Sequence, residues 1–509
     1  MLRNSSFEII RSSLLHAQKM IDDDFAYTRP LAGTNVRLSM LRLRELFFDE
    51  QSEELHNALL RLFPSLRRDS NNFSDDFDEE TGSVGAGSWR RIGTLMRSLK
   101  GWIALDETTE MSELPDYIDR VDVGLFRTLH SFRILTLDVR LSQSAWDSVQ
   151  TVQDTKPAVA ISFSLGFPPW KPPFSASYGS GQIAIEKAVI SHIQQVRSEV
   201  EACLRPYFSG YFSRRSTCDA RLPWTECFLL TGAAGDAGHI TKWIRDTVTW
   251  RSTVGLDLVN AYFSEDSIWA PPIRRKNREP AKSQLLLLTE TALSENQLQG
   301  YGGSLAAAAP EILTNALDEF VTASALADYL LGLESEVAAH YSTVRGSYAK
   351  ADVGLIARRH DDVRQSALRL EQVLFDMRER LTRLQAGLNA ATNNMRMRTM
   401  KGLAQPQPIG NQIYLELKRY GEGLLDRLTF LRTTNMDYLQ SKNIEFTARL
   451  MRRTYIATVA AVFASIVAVL AALATNWGST KAIFYDVQSY ITNSSDKSPP
   501  ALHERTKSN

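Results

Sequence analysis

Cysteine is scarce in this chain of 509 residues. Cys203, Cys218 and Cys227 are too few, and odd in number, for a disulfide framework, and a reducing, cytosolic setting explains them. Net charge is missing as well. Fifty-eight basic side chains balance 58 acidic ones, so no overall field draws the protein to nucleic acid or to an acidic substrate. The eight histidines are scattered from His16 to His503, and none has zinc-ligand spacing from another histidine or a cysteine. There is no G-x-S-x-G nucleophile elbow. These absences leave no catalytic constellation, and the expectation is a non-enzymatic protein without cofactor or metal. The start, MLRNSSFEIIRSSLLHAQK, mixes charge with apolar residues and so reads against a signal peptide.

Long apolar runs are absent too, with one exception. Tyr455 to Thr475 carries no charge for 21 residues, which as a helix extends roughly 31 Å, the thickness of a bilayer's hydrocarbon core. Lys442, Arg449, Arg452 and Arg453 precede it, whereas only Lys481 follows closely. The positive-inside rule then keeps the large N-terminal part in the cytosol and places a short tail outside. Within the run, Thr458, Ala461, Ser465, Ala468, Ala472 and Thr475 recur every three or four residues, beside Val462, Ile466, Val469 and Leu473. A face of small, weakly polar residues is what helix association in lipid uses, and the same face is suited to lining a narrow pore. The tail at 476–509 reads as short, polar and disordered, with the aromatics of 482–491 at the far interface.

The rest of the chain divides by period. Residues 1–115 read as helical, from FEIIRSSLLHAQKMI and LSMLRLRELFFDE. Between 68 and 88 an acidic stretch has the composition of a calcium loop, but Asp69, Asn71 and Phe73 break the ligand ladder, which leaves a solvated loop. From residue 116 the period becomes two. Val121, Val123 and Leu125 face Leu135, Leu137, Val139 and Leu141 across a His130-Ser131 turn, which predicts a hairpin. Val159 to Leu165 alternate likewise until PPWKPP at 168–173 ends the run. GQIAIEKAVISHIQQVRSEVEACL predicts a helix, and ECFLLTG and SQLLLLTE predict buried strands, so 116–295 reads as a mixed α/β domain. RRKNRE at 274–279 is a basic loop that anionic headgroups would suit.

Residues 296–402 carry a heptad seam: Val363, Ala367, Leu370, Leu374, Met377, Leu381, Leu384, Leu388, Ala391 and Met395. LAQPQPIG breaks it. A stalk helix over 403–454 then continues with Ile413, Leu417, Tyr420, Leu424, Leu428, Leu431, Asn435 and Tyr438, running unbroken into the span at 455–475. The seam suits either an antiparallel hairpin on the α/β domain or a coiled coil between copies. The expected fold is therefore α+β, with long helices ending in one transmembrane helix.

One loop has a phosphate-binding layout: strand, glycines, then helix, in CFLLTGAAGDAGHITKWI at 227–244. Such a loop cradles phosphate with backbone N–H groups while a lysine reaches the terminal phosphates. Around Gly232, Gly235 and Gly238, the lysine position holds His239 and the magnesium-binding hydroxyl position holds Ile240. A plain strand–turn–helix is the default reading, with a degenerate nucleotide site as the alternative.

The alternating hairpin at 121–141, the seam at 363–395 and the helix at 411–475 together resemble the architecture of the CorA-type divalent-cation channels. The resemblance implies a cytosolic α/β domain, a helical hairpin and one long helix entering a membrane pore. Asn476-Trp477-Gly478 stand where that family has Gly-Met-Asn, and a second span is missing, so no cation-selecting residue carries over. The partners expected are the lipid bilayer, further copies of the chain and a cytosolic ligand or protein, with no nucleic acid.

Overall fold

The computed structural model describes positions 11, 12, 15, 16 and 19 and residues 35–64, 88–97, 109–154, 161–164, 175–178, 181–214, 222–231, 262–263, 267–270, 283–288, 305–350, 353–392, 395–399, 402–403, 408–475 and 477–494. The chain forms two compact units, Met1–Gly346 with Asp361–Arg432, and Ser347–His360 with Thr433–Asn509.

The first unit is organised by β1 (Asn35–Phe48). It sits inside a mixed eleven-stranded sheet between β5 (Phe132–Leu141) and β8 (Trp224–Thr231), antiparallel to both. Outward from β5 lie β4 (Ile118–Arg127), β2 (Ser88–Met96) and β3 (Thr109–Met111). Outward from β8 lie β11 (Ser283–Leu288), β10 (Ser267–Ala270), β9 (Tyr262–Phe263), β12 (Arg396–Thr399) and β13 (Gly402–Leu403). β6 (Ile161–Ser164) and β7 (Ser175–Tyr178) form a separate ribbon. The expected hairpin is β4–β5, and the strands expected at ECFLLTG and SQLLLLTE are β8 and β11.

Residues 1–115 are not a helical region. Arg11, Ser12, Leu15, His16 and Lys19 are helical, as expected for FEIIRSSLLHAQKMI, but LSMLRLRELFF is strand β1, followed by α1 (Ser52–Leu62) and then β2 and β3. The error has a physical cause. A strand covered on both faces shows no period of two, because nearly every position is apolar or internally paired. Leu38, Leu41, Leu43 and Leu46 are buried, but so are Arg42, Arg44 and Glu45, whose charges imitate a solvent-facing helix stripe. For the same reason the 116–295 boundary fails. The sheet takes β1, β2 and β3 from before it and β12 and β13 from after it.

The two sheet faces differ in chemistry. One carries Leu41 and Leu43 with Leu135, Leu137 and Val139 and with Val121, Val123 and Leu125, all buried. α1 and α2 (Gln143–Asp154) contact β1, and α3 (Gly181–Leu204) packs on α2. The other face carries Arg42, Arg44, Asp138, Thr136, Asp122 and Arg120, and helix α4 (Leu305–Lys350) covers it with carboxylates. The Arg42 guanidinium binds both Asp138 oxygens at 2.6 Å and Asp318 at 2.7 Å. Burial opposes its charge, but Asp138 and Asp318 hold its pKa above the usual arginine value. Arg44 meets Asp328 at 2.7 Å and the Thr225 hydroxyl at 2.5 Å. Burial pushes the Asp328 carboxyl up to about 6, with the Arg44 guanidinium partly offsetting it.

Helix α5 (Val353–Ala391) carries the seam, and helix α6 (Ile409–Thr475) is a single helix of 67 residues, about 100 Å long. Met395 lies beyond the end of α5, so the helical seam closes near Ala391. In the second unit, Glu445 joins Lys442 at 2.7 Å and also contacts Arg449 on the exposed part of α6. The region expected as a polar tail begins as a helix, α7 (Trp477–Ser494), because Ile483, Phe484, Val487, Tyr490 and Ile491 recur at helical spacing.

Replacing Arg44 by Met strands the buried Asp328 charge and is expected to lower stability by about 3–5 kcal/mol. Combining it with Asp328→Leu should recover most of that loss in thermal unfolding followed by circular dichroism. A double variant no more stable than the single one would remove the ionic account of this layer.

Candidate functional site

The places where the sheet is tied to the helices are the candidate site of coupling. The β4–β5 turn is held by two helices at once. Thr128 and Thr322 of α4 share a hydroxyl hydrogen bond of 2.6 Å. The Ser131 N–H donates to Asp376 of α5 at 2.5 Å, and Arg380 donates to the Thr128 carbonyl at 2.9 Å while also contacting His130. Turn backbone groups without ladder partners need such acceptors and donors, and charged ones bind them most strongly. Asp376 and Arg380 lie four apart on α5 and read, in sequence, as ordinary solvent charges. Nothing local marks them.

A second tie joins β1 to the segment after α3. The buried Glu45 carboxylate accepts the N–H groups of Leu46 at 3.0 Å, Phe212 at 2.7 Å and Ser213 at 3.0 Å. Gly210 makes this approach possible, since a Cβ there would stand 2.5 Å from the Leu46 carbonyl and 2.6 Å from the Glu45 Cγ. Burial raises the Glu45 pKa from 4.5 to about 7, with the Ser213 hydroxyl and the three N–H donors only partly offsetting it. A third cluster surrounds Asp122. Burial raises its pKa, but Arg140, Arg120 and Arg91 more than offset this and hold the carboxyl below its usual range.

The seam is filled from within the chain. Val363, Leu370, Leu374, Met377 and Leu388 of α5 are buried, as are Leu424, Leu428 and Leu431 of α6. A Cβ on Gly421 would meet Leu374 at 2.8 Å and Leu330 of α4 at 3.4 Å, so α4, α5 and α6 converge there. Asn389 donates to Asn411 at 2.9 Å at one end, and Tyr420 donates to Glu334 at 2.6 Å further along. α5 and α6 therefore pair antiparallel through residues 374–389 and 411–421.

The span face reads differently. Thr458, Ala461, Ser465, Ala468, Ala472 and Thr475 all lie on α6 and are exposed in the chain. The hydroxyls donate to their own helix: Thr458 to the Thr454 carbonyl and Ser465 to that of Ala461, both at 2.8 Å, and Thr475 to that of Ala471 at 2.9 Å. Among the described residues, α6 is the one helix long and apolar enough to cross a membrane, and none of its most apolar 18-residue window is buried.

Gly232, Gly235, Gly238 and His239 lie outside the described residues, as do Cys218, positions 68–87 of the acidic stretch and RRKNRE. β8, the strand that leads into that loop, has β11 as a parallel neighbour. Cys203 and Cys227 are free thiols, and burial raises the pKa of both. Among the described residues no group of His, Cys, Asp and Glu gathers as a metal site requires. No protein-family model matches the chain, and neither a curated protein nor a solved structure matches it.

Because the folded-state pKa of Glu45 is raised, protonation favours the folded chain. The stability this supplies is complete below about pH 4.5 and is lost as pH rises through about 7. Relative to Glu45→Gln, the native protein should lose up to about 3 kcal/mol over that window. Parallel pH profiles of the two unfolding midpoints would refute this. Asp376→Ala leaves the buried Ser131 N–H without its acceptor, at a cost of about 1–3 kcal/mol. Amide exchange in residues 128–131 should accelerate while β1 stays protected.

Proposed function

We propose that this is a single-pass membrane protein in which a cytosolic sheet-bearing unit binds a ligand or protein and α6 carries the resulting state into a self-associating span. The observation that carries the reading is the continuity of α6. It begins at Ile409 with a face buried against α4 and α5 and ends at Thr475 as exposed apolar surface, without a break. Phe463 is 69% and Val469 is 59% exposed, a pattern water penalises and hydrocarbon removes. Arg449, Arg452 and Arg453 before the run against Lys481 after it favour a cytosolic N-terminal part.

Association in lipid is assigned to the Thr458–Ser465–Thr475 face, because small residues let helix backbones approach closely. The α5 seam needs no partner copy, being covered by α4 and α6. For a ligand to act through α6, it must bind two arrangements of the helices with different affinity. The clasp of Asp376 and Arg380 on the β4–β5 turn is where such a difference would reach α5.

The particle mass of the detergent-solubilised full chain, beside a chain stopped at Ser441, tests the reading. A defined oligomer that dissociates on truncation is expected. A monomer in both cases would reduce the span to an anchor. A second reading, a cation-conducting pore in the manner of CorA-type channels, uses the same hydroxyl-bearing face. It requires flux from purified protein in liposomes that Ser465→Leu abolishes.

A further inference from the structure

Helix α7 begins one residue after α6 ends, with Asn476 between them. Its 18 residues measure about 27 Å, but Lys481 and Asp486 interrupt them, so it lacks the run of about 20 apolar residues that crossing requires. Ile483, Phe484, Val487, Tyr490 and Ile491 stand at i, i+1, i+4, i+7 and i+8, which is one helix face about 120° wide. Lys481, Gln488, Ser489 and Thr492 take the opposite side.

The apolar face is open to solvent: Phe484 is 73% and Tyr490 is 81% exposed. An unpacked helix of this length is marginal in water, so its stability calls for a cover. Continuity supplies one. The end of the hydrocarbon-crossing run lies a single residue from the start of α7, which holds the face at the bilayer boundary. Trp477, Tyr485 and Tyr490 are residue types that favour this level. Lys481 and Asp486 cancel, so apolar insertion, rather than attraction to anionic headgroups, supplies the binding.

We propose that α7 lies in the plane of the outer membrane–water interface, its Ile483–Val487–Ile491 face sunk into the acyl boundary. There it fixes the depth and rotation of the span. This rests on the reading of 455–475 as transmembrane, and the test separates the two.

The full chain, with Cys203→Ser and Cys218→Ser, is reconstituted in phosphatidylcholine vesicles; the buried Cys227 stays unlabelled. Single replacements Val469→Cys, Ile483→Cys, Val487→Cys, Ser489→Cys and Ile491→Cys carry a nitroxide. Its collisions with oxygen, which partitions into lipid, are compared with those of a water-soluble nickel chelate. Positions 469, 483, 487 and 491 should favour oxygen and 489 the chelate, unchanged by added salt. Adding Val487→Glu should move 483 and 491 toward the chelate while 469 stays in lipid. If 469 is in lipid but every α7 position meets the chelate, the interfacial helix is refuted and the span stands. The same holds if every α7 position is shielded from both reagents, which would mean packing against another protein chain. If 469 meets the chelate, the transmembrane reading falls and the proposal falls with it.

Discussion

The buried charge layer between β1 and α4 is the constraint on which the first unit depends. Two guanidiniums, Arg42 and Arg44, lie under a helix and are tolerable only because Asp138, Asp318 and Asp328 meet them. Asp138 comes from the neighbouring strand, while Asp318 and Asp328 come from α4. The strand register and the helix position are therefore specified together. A one-residue slip of β1 would turn both arginines under the apolar face that holds Leu41 and Leu43. Any arrangement that separates these partners leaves a buried charge unpaired, at a cost of about 3–5 kcal/mol.

From that layer the unit passes constraint outward. Phe48, at the end of β1, packs edge-on against Phe132, Tyr211 and Tyr329, joining β5, the segment after α3 and α4 in one aromatic cluster. Glu45 ties the same strand to residues 212 and 213, and the β4–β5 turn is clasped by α4 and α5. The α4–α5–α6 contact at Leu330, Leu374 and Gly421 completes the series. A movement of the sheet thus has a contiguous path of hydrogen bonds and packed side chains to the first turns of α6. That path is what a coupling function needs, and the proposed interfacial α7 would hold the helix's other end.

Legibility followed environment. The β4–β5 hairpin, α3 and the seam were readable because each buries one side and shows a period. The seam positions from Val363 to Leu388 and from Ile413 to Asn435 fall on buried faces of α5 and α6 with few exceptions. β1 was misread because two covered faces erase the period and paired charges imitate a solvent stripe. Asp376, Arg380 and Glu45 carried no local signal, since their partners lie 245, 252 and 167 residues away.

By itself the sequence determined what depends on neighbours within a few turns. That covers the apolar run at 455–475, the heptad positions, the hairpin and the basic residues flanking the run, because hydrophobic period and length are local properties. The tertiary structure alone decided that β1 is a central strand rather than a helix and that the α5 seam closes on α4 and α6. It also decided which carboxylate neutralises each buried arginine. Those outcomes depend on which distant surfaces exclude water from each other, and a linear pattern does not record that.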